Sequence, residues 1–289
     1  MGKIMITGAL GNVGGYVAKY ALQNGDAVRC ADINLEALQA KYGETAQTVR
    51  FDFTDPATFA PALEDVDRVF IMRPPHLGRP EDLKPFVEAL ARQGGFRLVS
   101  FLSLLGVENN PMPPHHKIEK YIEQAGLPYC HIRPSFFMQN ISGVHAFEIK
   151  HFDRIVVPVK NALTSFIDAE DIGELTAKVL HEPEKHQNRG YSITGPEAMD
   201  YWQAAKILSE ELGRPITYAD PKPALAKRYW IDVRGLDKEY STVMGMLYLM
   251  TRMGTAKTVT ATFEEVVGKQ PQSFRRFVQK NLQAWEREA

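Results

Sequence analysis

Short apolar runs alternate with stretches of helical spacing through the first half of the chain, and turn residues separate them. This is the signature of repeated βα units. Lys3-Ile4-Met5-Ile6 reads as a strand, and Tyr16-Val17-Ala18-Lys19-Tyr20-Ala21-Leu22 carries the spacing of a buried helix face. Further strands are expected at Ala27 to Asp32, Thr48 to Asp52, Arg68 to Met72, Arg97 to Ser103 and Tyr129 to Arg133. Helices fall between them, at Leu35 to Tyr42, Asp55 to Leu63, Pro80 to Gln93 and Pro114 to Gln124. With short connections and right-handed crossovers, the simplest α/β fold is a doubly wound parallel Rossmann sheet over residues 1–133.

The regular alternation stops at Pro134. Helices are then expected at Ala169 to His181, Asp200 to Leu212, Leu236 to Met253 and Ser273 to Trp285. Residues 134–289 therefore read as a smaller, mostly helical substrate lobe over the strand ends. A strand near 190–194 is a candidate to return to the main sheet.

Between the first strand and the first helix lies Thr7-Gly8-Ala9-Leu10-Gly11-Asn12-Val13-Gly14. Gly8 permits a tight turn, Gly11 lets backbone approach phosphate oxygens, and Gly14 lets the helix pack closely on the strand. Thr7, Gly8, Leu10, Gly11, Asn12, Val13 and Gly14 are thus the expected cradle for a dinucleotide pyrophosphate, with the amides of the helix N-terminus facing the negative charge. Asp32 ends the second strand, where an acidic side chain accepts hydrogen bonds from an adenosine ribose and repels a 2′-phosphate. That favours NADH over NADPH. The competing reading is a turn aspartate capping the next helix. Arg29 is embedded in its strand and is expected to point elsewhere. Asp52 and Phe53, at the end of the third strand, are candidates for adenine contact, although an aspartate that starts a turn is equally ordinary.

Hydrophobic residues make up 44 % of the 289 residues and the net charge is −1, which excludes the basic footprint of a direct nucleic-acid binder. Small-molecule partners are expected instead. Cys30 and Cys130 sit in apolar strand-like segments and read as reduced core residues. No apolar run approaches the roughly 20 residues of a membrane helix, and the first strand begins almost at Met1, so a cytoplasmic protein without membrane contact is expected. His115 and His116 are neighbours pointing in different directions, and no other spacing suggests a metal.

Several segments together resemble the NmrA-like group of atypical short-chain dehydrogenase/reductases. They are Thr7-Gly8-x-x-Gly11-x-x-Gly14, Pro74-Pro75, Leu102-Ser103-Leu104-Leu105-Gly106, and Gly126-Leu127-Pro128-Tyr129 leading into Ile132-Arg133-Pro134-Ser135-Phe136-Phe137-Met138-Gln139-Asn140. Phe166-Ile167-Asp168-Ala169-Glu170-Asp171-Ile172 and Tyr191-Ser192-Ile193-Thr194-Gly195-Pro196-Glu197 follow. The group includes quinone reductases, triphenylmethane-dye reductases and redox-sensing regulators. The resemblance implies a nicotinamide near Arg73, Pro74, Ser103, Arg133 and Pro134, and a substrate pocket near His76, Leu104, Phe136, Phe137 and Met138. The three consecutive residues Phe136, Phe137 and Met138 read equally well as core at a domain junction. Many relatives carry an arginine where Asp32 stands, so their NADP preference does not transfer directly.

Typical short-chain dehydrogenases pair a tyrosine with a lysine four residues later, because the ammonium lowers the phenol pKa. The one such spacing here, Tyr218 to Lys222, contains Pro221 and reads as accidental. Other NmrA-like reductases show a histidine followed four residues on by a glutamate, as His115 and Glu119 do. His115 is the candidate proton donor, with Glu119 favouring its charged form; a plain helix-surface pair is the alternative. A site without a strong acid suits acceptors that take hydride readily: quinones, azo or imine groups and conjugated dyes. The leading expectation is an NADH-dependent reductase of a small apolar, conjugated acceptor. Its rival is a non-catalytic dinucleotide sensor that acts through a protein partner.

Overall fold

The βα alternation closes into a seven-stranded, all-parallel sheet, seen in a computed structural model that describes residues 2–287. The strands, in chain order, are β1 (Lys3–Thr7), β2 (Val28–Asp32), β3 (Gln47–Arg50), β4 (Val66–Met72), β5 (Leu98–Leu102), β6 (Tyr129–Pro134), β7 (Arg154–Val156), β8 (Arg189–Ile193) and β9 (Thr217–Ala219). The helices are α1 (Asn12–Gln23), α2 (Leu35–Tyr42), α3 (Phe59–Leu63), α4 (Lys84–Gln93), α5 (Pro114–Gln124), α6 (Gln139–Ser142), α7 (Ala146–Phe152), α8 (Ala169–His181), α9 (Pro183–His186), α10 (Tyr201–Leu212), α11 (Pro223–Asp232), α12 (Lys238–Arg252), α13 (Thr262–Val267) and α14 (Phe274–Lys280). Strand order in the main sheet is β3-β2-β1-β4-β5-β6-β8, so the order reverses between β1 and β4. Ligand crevices of doubly wound sheets form at that reversal, outside the carboxyl ends of the strands.

The chain divides into two compact units, and the division does not follow a single cut at residue 134. The first unit runs through Pro134 and takes back Ala169–Ile193 and Thr262–Lys269. The return has a packing cause. Gly173 of α8 lies so close to α1 that a Cβ there would sit 2.3 Å from the Tyr16 Cβ and 2.9 Å from the Val17 nitrogen. Only a glycine permits that approach, and α8 thereby becomes a cover for the sheet rather than part of the second unit. The last strand of the sheet, β8, pairs in parallel with β6 over Cys130↔Arg189 to Pro134↔Ile193.

One face of the sheet is packed by Phe51, Phe53, Phe59 and Phe86, whose ring centroids lie 4.8–5.7 Å apart, together with Val69, Ile71, Val99 and Phe101. Burying each large side chain contributes roughly 1.5–3 kcal/mol. Helix α5 closes this core with Ile118 and Ile122. Pro114 starts α5 where no intrahelical N–H is needed, and left-handed Gly126 (φ +69°) follows its C-cap, Ala125.

The second unit comprises Ser135–Asp168, Thr194–Ala261 and the chain from Gln270 onward. It is mostly helical around a core that includes Met138, Phe166, Tyr201, Trp230, Phe277 and Trp285. It also holds a two-stranded parallel sheet of β7 and β9, which the sequence pattern did not suggest because each strand is three residues long. Among the described residues no helix is long and apolar enough to cross a membrane.

Candidate functional site

The first βα turn has the backbone that its glycines suggest. Gly8 adopts φ +64°, a left-handed conformation, and the Gly11 amide donates to the Gly8 carbonyl at 2.9 Å. A Cβ on Gly14 would lie 2.3 Å from that same carbonyl oxygen, so α1 approaches β1 as closely as a bare backbone allows. Gly11 is the N-cap of α1 and no side chain caps the helix. The first amides of α1 are therefore available to an anion, and a pyrophosphate fits this turn on geometry and charge. Leu10 is half-buried, Asn12 is exposed and Val13 is buried.

Thr7 serves the sheet. Its hydroxyl donates to the Phe70 carbonyl at 3.0 Å and accepts from the Met72 amide at 2.9 Å, which pins β1 to β4 where the strand order reverses. The hydroxyl is engaged within the sheet by these two bonds.

Asp32 is half-buried at the carboxyl end of β2, and the cap of α2 is a different residue. Asn34 takes that role, accepting from the Ala37 amide at 3.0 Å, while Asp32 accepts only a long bond from the Asn34 amide at 3.4 Å. Arg29 is buried, and its guanidinium donates to the carbonyls of Pro61, Ala62 and Glu64 and to Gln47 Oε1. Its charge is spent well away from Asp32. Asp52 behaves as a turn residue: its carboxylate accepts from the Thr54 amide at 2.8 Å and hydroxyl at 2.7 Å, which holds its pKa below the usual carboxylate value. This Asx turn is also why β3 stops at Arg50, short of the expected Asp52. The Phe53 ring belongs to the aromatic core, so only its backbone remains for adenine.

Side-chain alternation builds the other half of the site. Register pairs Ile71 with Phe101 and Phe101 with His131, so these three share one face, and two residues further on the same face carries Arg73, Ser103 and Arg133. Helix α5 lies over that face and presents His115, Glu119 and Glu123, successive residues of one helical stripe. The result is a polar seam above the apolar core.

Within the seam the pairing differs from the expectation of a His115–Glu119 couple. Glu119, 1 % exposed, is held by Arg133 through two hydrogen bonds, Nε to Oε1 at 3.0 Å and Nη2 to Oε2 at 2.7 Å. Burial alone would raise the Glu119 carboxyl, but the Arg133 hydrogen bonds outweigh it and hold the group below its ordinary value. Arg133 also reaches Glu108 at 3.5 Å. Gly190 of β8 makes room for the guanidinium, since a Cβ there would stand 2.6 Å from Nη1.

His115 instead stacks on Phe101, with ring centroids 5.9 Å apart. Burial pushes its pKa down to about 3, the Arg73 charge adds to that, and Glu119 opposes without reversing it. The ring is neutral at neutral pH, contrary to the expectation that Glu119 favours its charged form. Burial is the chief reason: it outweighs the pull of Glu119, whose carboxylate is also held by Arg133.

His131, fully buried against Tyr129 at 4.6 Å between ring centroids, brings Nε2 to 3.3 Å from Glu123 Oε1. Glu119, Glu123 and His131 have donor atoms within 4.8 Å of one another, the spacing of a metal site. Arg133 already supplies the positive charge at Glu119, which disfavours a cation there. The sequence reading overlooked His131 and Glu123, although alternation from Arg133 and the four-residue spacing from Glu119 point to both.

Arg73 leaves the end of β4, and its Nη1 donates to the carbonyls of Leu77 at 2.6 Å and Pro74 at 3.3 Å. His76 is exposed and Leu104 half-buried beside buried Ser103. Pro134 closes β6, its carbonyl accepting from the Leu105 amide at 3.0 Å. In the second unit, Met138 is a core residue at 1 % exposure, which matches the alternative reading of this segment as core. Phe136 packs on Tyr248 with centroids 5.9 Å apart, and Phe137 bridges to Ile167. Tyr218 is also core, its hydroxyl donating to the Val157 carbonyl at 3.0 Å, so it forms no tyrosine–lysine couple.

This arrangement has relatives. Prestalk A differentiation protein A of Dictyostelium discoideum is 31 % identical over 96 % of this chain and 92 % of its own length. An NAD(P)H azoreductase of Xenophilus azovorans is 24 % identical over 98 % of this chain and 99 % of its own. Among solved structures, an NADPH-dependent quinone oxidoreductase of Escherichia coli complexed with NADPH superposes with a TM-score of 0.86 at 20 % identity, covering 96 % of this chain and 99 % of that one. A family model described as the NmrA-like family matches residues 1–273, and the chain belongs to the NmrA-like family.

Proposed function

We propose that the protein is an NADH-dependent reductase of small, apolar, conjugated acceptors of the quinone, azo, imine or dye class. One observation carries the reading. On the helix-covered face of the strand ends, Glu119 and Arg133 are spent on each other, and the imidazole of His115 is neutral. Such a site orients and hydrogen-bonds; it does not deliver a strong acid. It therefore suits acceptors that take hydride readily, with water able to supply any proton the product needs. The azoreductase and quinone oxidoreductase among the relatives act on acceptors of this kind by name, which supports the class.

When bound, a reduced nicotinamide supplies the hydride. The glycine turn at Gly8, Gly11 and Gly14 is proposed to hold the pyrophosphate, and Asp32 the adenosine ribose. Asp32 caps no helix, and Arg29 is occupied by backbone carbonyls, so this strand end offers a 2′-phosphate repulsion from Asp32 and no help from Arg29. That supports NADH over NADPH. Arg73, Ser103 and Pro134 are proposed to lie beside the reacting ring.

The test is direct. Purified protein, NADH and a panel of quinones and dyes should show cofactor oxidation far above that of a Gly11→Asp control. Tight binding of NADH with no turnover across the panel would overturn the reductase reading in favour of a dinucleotide sensor.

A further inference from the structure

Two residues of the polar seam each leave one buried nitrogen without a hydrogen-bond partner: Arg73 Nε and His115 Nδ1. An unmet buried polar atom costs about 1–3 kcal/mol, so two together call for an explanation. Their capacities are complementary. Arg73 Nε–H can only donate, and one ring nitrogen of a neutral imidazole can only accept. Strand alternation carries Arg73 on the same face as Ile71, which pairs with Phe101, the ring on which His115 stacks. The Arg73 head is held at Nη1 by the carbonyls of Pro74 and Leu77, and among the described residues no carboxylate lies within ion-pair distance of it.

We infer that Arg73 is a positioning residue for His115: its Nε–H is the hydrogen-bond donor to Nδ1 when the site is loaded, which leaves the ring proton on Nε2. This rests on the proposed reductase activity for its consequence, but not for its geometry. His115 then offers a neutral N–H to the acceptor atom that gains negative charge. Two electrons and one hydrogen reach the acceptor as hydride, the single proton that completes the reduction comes from water, and the imidazole keeps its own proton throughout. The acceptors favoured are those whose reduced oxygen or nitrogen is a weak base, quinones foremost.

Burial acts first on the ring, and the charged groups facing it pull in opposite directions, Arg73 with burial and Glu119 against it. Arg73 approaches from the turn after β4, Glu119 lies one turn along α5 and is paired with Arg133 from β6, and Phe101 of β5 is uncharged. The balance keeps the ring neutral, as its depressed pKa indicates.

The test uses the full-length protein with ¹⁵N-labelled histidine, followed by NMR with and without NADH, in wild type, Arg73→Lys and Arg73→Met. In wild type the His115 ring should stay neutral between about pH 5 and 8, with the proton on Nε2 in the NADH-bound form. Arg73→Met should raise its proton affinity about tenfold or more and mix the tautomers. Arg73→Lys should keep the ring neutral but lose the tautomer preference, because lysine returns the charge without the Nε donor. An unchanged titration and tautomer in both folded variants would overturn the inference, and if Arg73→Met fails to fold, the Arg73→Lys spectrum decides. A wild type that shows the expected tautomer yet turns over no acceptor would contradict the reductase activity alone.

Discussion

Arg133 grips Glu119 edge to edge, with both carboxylate oxygens accepting from the guanidinium at 3.0 and 2.7 Å. The pair joins β6 to α5 just below the strand ends. Glu119→Ala leaves the Arg133 charge, in a largely buried place, with only its longer contact to Glu108, and a loss of about 3 kcal/mol of stability is expected in urea unfolding. Gly190→Ala pushes a Cβ into the same guanidinium and should cost about 1–3 kcal/mol without altering any charge.

In the proposed reading Asp32 sets the cofactor preference. NADH should bind more tightly than NADPH in calorimetry, and Asp32→Ala should narrow the ratio about tenfold, roughly 1.4 kcal/mol. Equal affinity in the wild type would remove Asp32 from this role.

Gly14 is the most constrained glycine of the turn. A Cβ there would stand 2.3 Å from the Gly8 carbonyl oxygen, so Gly14→Ala must shift α1 away from β1. Dinucleotide affinity should fall at least about tenfold, with a smaller loss of thermal stability.

Two fully buried histidines make the fold sensitive to acid. His131 is pushed down to about 4 and His145, which bonds the Tyr248 hydroxyl, to about 3, in both cases chiefly by burial. Unfolded histidine titrates near about 6.5. Below that pH the unfolded chain takes up protons that the folded chain refuses. Stability is therefore full above about pH 7 and falls as pH drops through 6.5 toward these folded values, by at most about 1.4 kcal/mol per pH unit for each ring. Urea midpoints measured from pH 7.5 to 5 should decline steadily, and His131→Phe should flatten part of the slope.

Much of this was legible in the residues. The glycine turn, the parallel alternation and the resemblance carried by Leu102–Gly106 and Ile132–Asn140 rest on local backbone demands, which a sequence displays directly. The Glu119 partner was not legible, because four-residue helical spacing made His115 the nearest candidate while Arg133 arrives from a strand. The burial of Met138 was left open between pocket and core for a similar reason: the side chains it packs with are far away in the chain. The division into units was blurred by α8, whose return to the sheet depends on one glycine, Gly173, against Tyr16.

The reductase reading stands or falls on a single-turnover experiment. Protein loaded with stoichiometric NADH is mixed with excess quinone, and the fluorescence of the bound cofactor is followed. Rapid, protein-dependent loss of NADH with equivalent quinol formation is the predicted result. Bound NADH that stays reduced, at the rate of the Gly11→Asp control, would contradict it.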